Sequence, residues 1–417
     1  MKINNHACYG VNVMDFGAKG DGIADDGPSF QAALDSGEEY IVVPSGIFSI
    51  GQTLYINSNT RINAHNQAHI RLASGVCKDP HHFLLTNKHH DTGDCNIIIK
   101  GGIWDYNCPG NPRKPDLFDL SGPSGTMLEF RKVKNLILSG MTLSDPECYY
   151  TRFCEVEDFL VEDIVFNSRN IRPNQDGVHF CGYCKNGIIR NLNASPESPN
   201  DDFIAMNADD CLTRLQNVNT ICGPIENIVV ENIYAQNCHC FVRMASFVSP
   251  IRNIDISNIR GGCKGFVLNM DAARYCRTPL FKNDEYPEGV GAVENVCISN
   301  VSAFLTRPGT RFFCLETNVR NFRIRNFNYD FANTLDSRVP AVLINNLGKT
   351  EVSLWGISKT AARESTAAGS CKNAAMISAA DPHRPDSMVL HAFLNPGESL
   401  AIPPGNFDEL RLDRTFC

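Results

Sequence analysis

No stretch of this 417-residue chain approaches the roughly 20 consecutive apolar residues of a membrane-spanning helix, so no membrane partner is expected. Residues Met1 to Gly10 carry neither an apolar h-region nor a small-residue cleavage site, which points to a cytoplasmic location unless a leader has been removed. Positive charge is also in short supply. Lys and Arg total 38 against 46 Asp and Glu, a net charge of −8, and no basic stripe with interleaved aromatics occurs, which argues against nucleic acid. An acidic sugar would therefore gain no global attraction and would have to be held by local arginines or lysines.

A disulfide framework is missing as well. The 18 cysteines are scattered from Cys8 to Cys417 without the density of a small secreted module. Cys263, Cys297 and Cys314 fall in strand-like segments, where a free thiol packs as a small apolar group. Cys181/Cys184 and Cys238/Cys240 have zinc-like spacing but no matching second pair, so neither a metal nor any other cofactor is expected.

What the chain does have is a repeat. The segments IENIVVENI from Ile225, IRNIDISNI from Ile251, VENVCISNV from Val293 and VRNFRIRNF from Val319 share one apolar-x-Asn-apolar-x-apolar-x-Asn-apolar template. Their first asparagines, Asn227, Asn253, Asn295 and Asn321, are spaced by 26, 42 and 26 residues. A fixed period of this length signals stacked units, and apolar alternation with period 2 inside each unit makes it a strand. Looser copies start at Asn96, Asn135, Asp158 and Asn186. One strand-rich coil per repeat predicts an all-β parallel β-helix, a solenoid whose stacked apolar positions form one continuous core. A single domain is expected over residues 1–417: an N-terminal strand and capping helix in 1–45, coils in 46–349 and a C-terminal capping segment in 350–417.

The opening stretch VNVMDFGAKGDGIADDGPSFQAALDSG joins a strand, a glycine-rich turn and a short helix on which Phe30, Ala33 and Leu34 follow helical spacing. Asp25 or Asp26 can cap that helix, and Pro28 suits its first turn. This stretch resembles the opening of the pectate-lyase-like right-handed β-helix superfamily, with Gly27 in place of the usual threonine. Taken with NQDG at Asn174 and NDDFIAMN at Asn200, the chain resembles the family 28 glycoside hydrolases, the polygalacturonase family, from about Val11 to Asn346. The family's N-x-D motif matches Asn174 and Asp176, and its D-D pair matches Asp201 and Asp202. Its R-I-K motif corresponds to VRMAS, which keeps Arg243 but puts Ala245 at the lysine position. Its G-H-G motif has no counterpart, since no histidine lies between the D-D pair and His239.

Glycosidic hydrolysis requires one carboxylic acid to protonate the leaving oxygen and a second carboxylate to activate water or attack the sugar. The steps from Asn174 to Asn200 and from Asp176 to Asp202 are both 26 residues, the repeat period, so the two acid-bearing turns are expected in register. Crowded carboxyls there should retain at least one proton near neutrality. The resemblance implies Asp201 as the acid, Asp176 with Asp202 as the groups that activate water, and inversion at the anomeric carbon. Asn174, Asn200, Arg243, His179, His239 and Arg274 are candidate substrate-binding residues, with Lys264 a further one, and either histidine can stand in for the missing one. Asp209 and Asp210 read as turn residues.

Two stretches, Asp105 to Gly125 and Asp271 to Gly291, exceed plain turns and can wall the cleft into a pocket. The expected protein is an exo-acting glycoside hydrolase of pectin-related oligosaccharides that is poor on polygalacturonate. Two other functions stay open on the same solenoid: a polysaccharide lyase or uronate epimerase, and a carbohydrate-binding β-helix without turnover. Assembly into a homo-oligomer is left open too.

Overall fold

The computed structural model describes residues 10–360 apart from 117–118, 210–217, 219, 273–284, 286–288, 309, 331–332, 335–341 and 345–349, together with strands at Ile377–Ala379, Met388–Leu394 and Glu409–Arg414. It is a right-handed parallel β-helix. Each strand pairs in parallel with the equivalent strand one coil away, and one apolar stack runs Ile97, Leu136, Phe159, Gly187, Ile228, Ile254, Val296, Phe322, Val352. Gly187 interrupts this stack because the Phe159 ring fills its place: a Cβ on Gly187 would lie 1.9 Å from Phe159 Cζ.

The two asparagines of the repeat template have a backbone cause. Asn227, Asn253, Asn295 and Asn321 all have φ between 53° and 58°, in the left-handed region that asparagine tolerates better than other non-glycine residues. There each side-chain amide donates to the asparagine of the coil before: Asn253 to Asn227 at 2.9 Å, Asn295 to Asn253 at 3.2 Å and Asn321 to Asn295 at 2.9 Å. The second asparagine of the template forms a parallel ladder, for example Asn258 to Asn232 at 2.9 Å. The template thus encodes the coil corner as well as the strand.

At the N-terminal end the helix Gly27–Leu34 buries Phe30, Ala33 and Leu34, and Phe30 meets Phe48 edge-on at 5.2 Å. Of the two residues expected to cap its start, Asp25 takes the first helical amide and Asp26 does not cap. Asp26 occupies the cap position without a side-chain capping bond, and its carboxylate accepts instead from the Lys19 and Gly20 amides at 2.6 and 3.2 Å. Asp25 receives the Gly27 amide at 2.9 Å and the Gly51 amide at 2.8 Å, which ties the helix to the next coil. Gln31 reaches Tyr55 through both its amide oxygen and nitrogen, so the helix covers the open first coil.

At the other end the ladder continues beyond residue 349. Thr350–Thr360 stacks on Val319–Asp330, Met388–Leu394 stacks on Thr350–Thr360, and Glu409–Arg414 follows in parallel. The described cysteines are free thiols. Cys184 and Cys238 donate to backbone carbonyls inside the core, which gives the zinc-like spacings a packing role.

Replacing one ladder asparagine tests the corner. Asn253→Ala should destabilise the fold by about 1–2 kcal/mol, the cost of the left-handed conformation for an ordinary L-residue. Asn253→Gly should recover most of that loss in equilibrium denaturation.

Candidate active site

Three stacked strands carry the site: Val178–Phe180, Asp202–Asn207 and the end of Ile225–Ala245. The register Val178, Ile204, Val242 points one column into the core, while His179, Ala205 and Arg243 form the adjoining outward column. The two acid turns lie one coil apart, as their spacing requires. The Gly177 amide donates to the Asp202 carbonyl at 2.9 Å, and the Asp202 amide donates to the Asp176 carboxylate at 3.3 Å.

The three carboxyls have different surroundings. Asp176 and Asp202 are buried, with side chains 6% and 5% exposed, whereas Asp201 is 28% exposed at the mouth. Burial pushes Asp176 up to about 6, with the charge of Asp201 adding to the effect, against the opposing hydrogen bond from His179. Burial also holds Asp202 well above the ordinary carboxyl range, reinforced by the negative charges of Asp201 and Asp176. Both buried acids are thus shifted toward their protonated forms, Asp176 to about 6.

His179 explains how Asp176 carries its charge. Its Nδ1 lies 2.7 Å from Asp176 Oδ2, and its ring stacks on Tyr149 at 3.8 Å. Burial disfavours the imidazolium, but the hydrogen bonds to Asp176 and Cys181 outweigh it and raise His179 to about 10. His179 is thus a buried cation beneath Asp176 and does not face the cleft. His239, 35% exposed, places Nδ1 3.1 Å from Asp201 Oδ1, and Asn174 donates to the other Asp201 oxygen at 3.2 Å.

Arg243 donates to both oxygens of fully buried Asp271 at 3.2 and 3.3 Å and lies 3.9 Å from Asp202. Asn200 is a strut between coils: its amide donates to the Arg172 carbonyl at 3.1 Å and its oxygen accepts from Lys264 at 3.1 Å. Arg274 and Asp210 lie outside the described residues. Asp209 accepts the Phe247, Val248 and Ser249 amides at 2.8, 2.7 and 2.6 Å, which makes it the turn residue that its composition suggested. Tyr149 and Asp271 carried no sequence signal, because each acts on a residue a full coil away.

The floor of the cleft ends on its N-terminal side. Arg152, one coil before His179, grips Glu129 with two hydrogen bonds of 2.6 and 2.8 Å, and both side chains are fully buried. Thr126, Cys148 and Tyr149 beside them are buried as well. Arg113, from the Asp105 to Gly125 stretch, packs where a Cβ on Gly125 would lie 2.6 Å from its Cδ. That stretch walls this side. Asp201, Asp202 and His239 offer ligand atoms within 4.8 Å of one another, the group among the described residues that can hold a cation.

A family model described as Rhamnogalacturonase A/epimerase, pectate lyase-like, matches residues 10–100. A polygalacturonase of Persea americana is 25% identical over 251 residues, covering 56% of this chain and 50% of that protein. The chain spans about half the length of the first curated relatives it matches. Among solved structures, the PfbA surface adhesin of Streptococcus pneumoniae aligns with TM-score 0.60 at 13% identity, over 98% of this chain and 93% of that one. The Family 28 exopolygalacturonase of Yersinia enterocolitica gives 0.54 at 14%, over 97% and 78%. The AlgE6 A-module, a mannuronan C-5 epimerase of Azotobacter vinelandii, gives 0.62 at 14%, over 97% and 99%. At these identities the structural likenesses establish fold. The chain is a parallel β-helix whose sequence is similar to polygalacturonases over about half its length.

The Asp176–His179 pair has a pH signature. Removing one partner of a buried ion pair costs about 3–5 kcal/mol because the other charge is stranded. Asp176 has a folded value raised to about 6, so its burial weighs on stability increasingly as pH rises through that value. His179, raised to about 10, contributes fully below the free imidazole value near 6.5 and loses that contribution as pH rises through its folded value, so His179→Gln should be markedly more destabilising at pH 7 than at pH 10 in denaturant titrations. An equal loss at both would mean that the imidazole serves packing alone.

Proposed function

We propose that this protein is a glycoside hydrolase that removes sugars from the ends of pectin-related oligosaccharides with inversion. The observation that carries the reading is the division of three carboxyls on adjacent coils into one exposed and two buried, with Asp176 raised to about 6 beside Asp202, which burial also raises. Titratable groups pushed apart by their environments are how one site performs acid and base steps together.

In this mechanism Asp201, at the mouth, gives its proton to the oxygen of the leaving sugar as the glycosidic C–O bond breaks. Water attacks the anomeric carbon and yields its proton to Asp176, which His179 keeps ionised for that purpose. Asp202, on the next coil, holds the water in place beside Asp176. His239, in contact with Asp201 at 3.1 Å, exchanges protons between that carboxyl and solvent. Arg243 braces the neighbouring acids through Asp271 and Asp202. Inversion rests on the resemblance to family 28, and the first-formed anomer seen by NMR tests it.

End-wise action is supported by the burial of Glu129, Arg152, Tyr149 and Cys148 on the N-terminal side of the acids, where a threaded polymer would have to pass. A second reading, a lyase or epimerase that depends on a divalent cation, draws on the ligand atoms of Asp201, Asp202 and His239. Chelator-sensitive formation of unsaturated or epimerised products would favour it.

Asp201→Asn should lower kcat by about 10²–10⁴-fold, the usual worth of a general acid, with an unchanged melting temperature. The kcat/KM profile of the native protein should rise on its acid side with a midpoint near 6, as Asp176 ionises. Activity should fall as oligosaccharides lengthen. Rapid viscosity loss of a long polymer before monomer or dimer appears would instead mean internal cleavage.

A further inference from the structure

The described basic side chains around the cleft are already matched by carboxylates of the protein itself. Arg243 is held by both oxygens of Asp271. Lys264, 23% exposed at the mouth, pairs with Glu197, and Arg172 meets Glu147 at 3.1 Å. The two histidines face Asp176 and Asp201. Ala245, two residues beyond Arg243 on the same outward face, stands in register with Asp271 and adds no charge.

We infer that the sugar whose bond is cleaved is neutral, with a hydroxymethyl or methyl group where a uronate bears its carboxylate. This rests on the hydrolase reading and names its substrate class. Among the described residues a uronate would have to recruit a cation that is already paired, and recruiting Arg243 would strip the counter-charge from Asp271, whose side chain is fully buried. It would also bring a further negative charge beside the buried carboxyls of Asp176, Asp202 and Asp271, where burial and the neighbouring charges already raise Asp202. Sugar hydroxyls need no counterion, since each can donate to these carboxylates. The Arg243–Asp271 pair is therefore the specificity-determining element: it neutralises the arginine that would otherwise receive an anion.

The test compares kcat/KM of the full chain on oligosaccharides that differ only in their terminal non-reducing sugar: galactose, galacturonate or its methyl ester. Galactose-ended and ester-ended chains should be cleaved at least tenfold better than the acid, and insensitively to salt. An acid-ended chain cleaved as well as the others, or better, overturns the inference. Asp271→Asn, which frees Arg243, and Glu197→Gln, which frees Lys264 at an exposed pair and guards against misfolding of the buried variant, should each narrow the ratio several-fold. An unchanged ratio in both folded variants also overturns it. If no chain is cleaved, the hydrolase reading falls, and calorimetric titration of the same three oligosaccharides decides the charge preference alone: weaker binding of the acid supports it, and tighter binding refutes it.

Discussion

Hydrogen bonding between successive coils is the constraint on which everything else in this molecule depends. Parallel strands lock neighbouring backbones about 4.8 Å apart, so two residues one period apart in sequence become neighbours whatever their chemistry. For apolar side chains this produces the continuous stack from Ile97 to Val352. For Asp176 and Asp202 it forces carboxyls together that in solution would stay apart. The energy that compresses these charges comes from the whole ladder above and below them, which is why a site with raised carboxyl values can persist in a stable fold.

The same geometry supplies the compensation. His179 sits on the strand that follows Asp176 in sequence, Arg243 sits two coils on, and Asp271 arrives one coil later to brace Arg243. Arg243 and His239 are thus each matched by a carboxyl one coil away, Asp271 and Asp201, while His179 is matched by Asp176 three residues before it. Charge balance within the site is a property of the stack rather than of any one loop.

This also explains what the sequence could reveal. Period-2 alternation and the recurring asparagines exposed the solenoid because each coil repeats one local rule. The acid turns were legible for the same reason, being in register at the repeat period. Tyr149, Asp271 and the Glu129–Arg152 pair were not, because their partners sit 23 to 30 residues away and no local pattern links the members. His179 and His239 were visible as candidates for the cleft. Only their burial separates them, the first lying under Asp176 and the second at the mouth beside Asp201. Of the two aspartates able to cap the first helix, Asp25 takes its first amide, because the glycine-rich turn occupies the oxygens of Asp26.

The asparagine columns have a direction. Every amide donates toward the N-terminal coil and accepts from the C-terminal one, so their dipoles add head to tail along the solenoid. A carboxylate can accept but not donate, and it therefore fits only where a chain of such bonds begins. Asp158 and Asp163 occupy those starting positions, receiving Asn186 at 3.1 Å and Asn191 at 2.9 Å. Deamidation of any asparagine further along would remove a donor and set two acceptors face to face, so the chemical ageing of a single side chain would cut the column into two shorter ones.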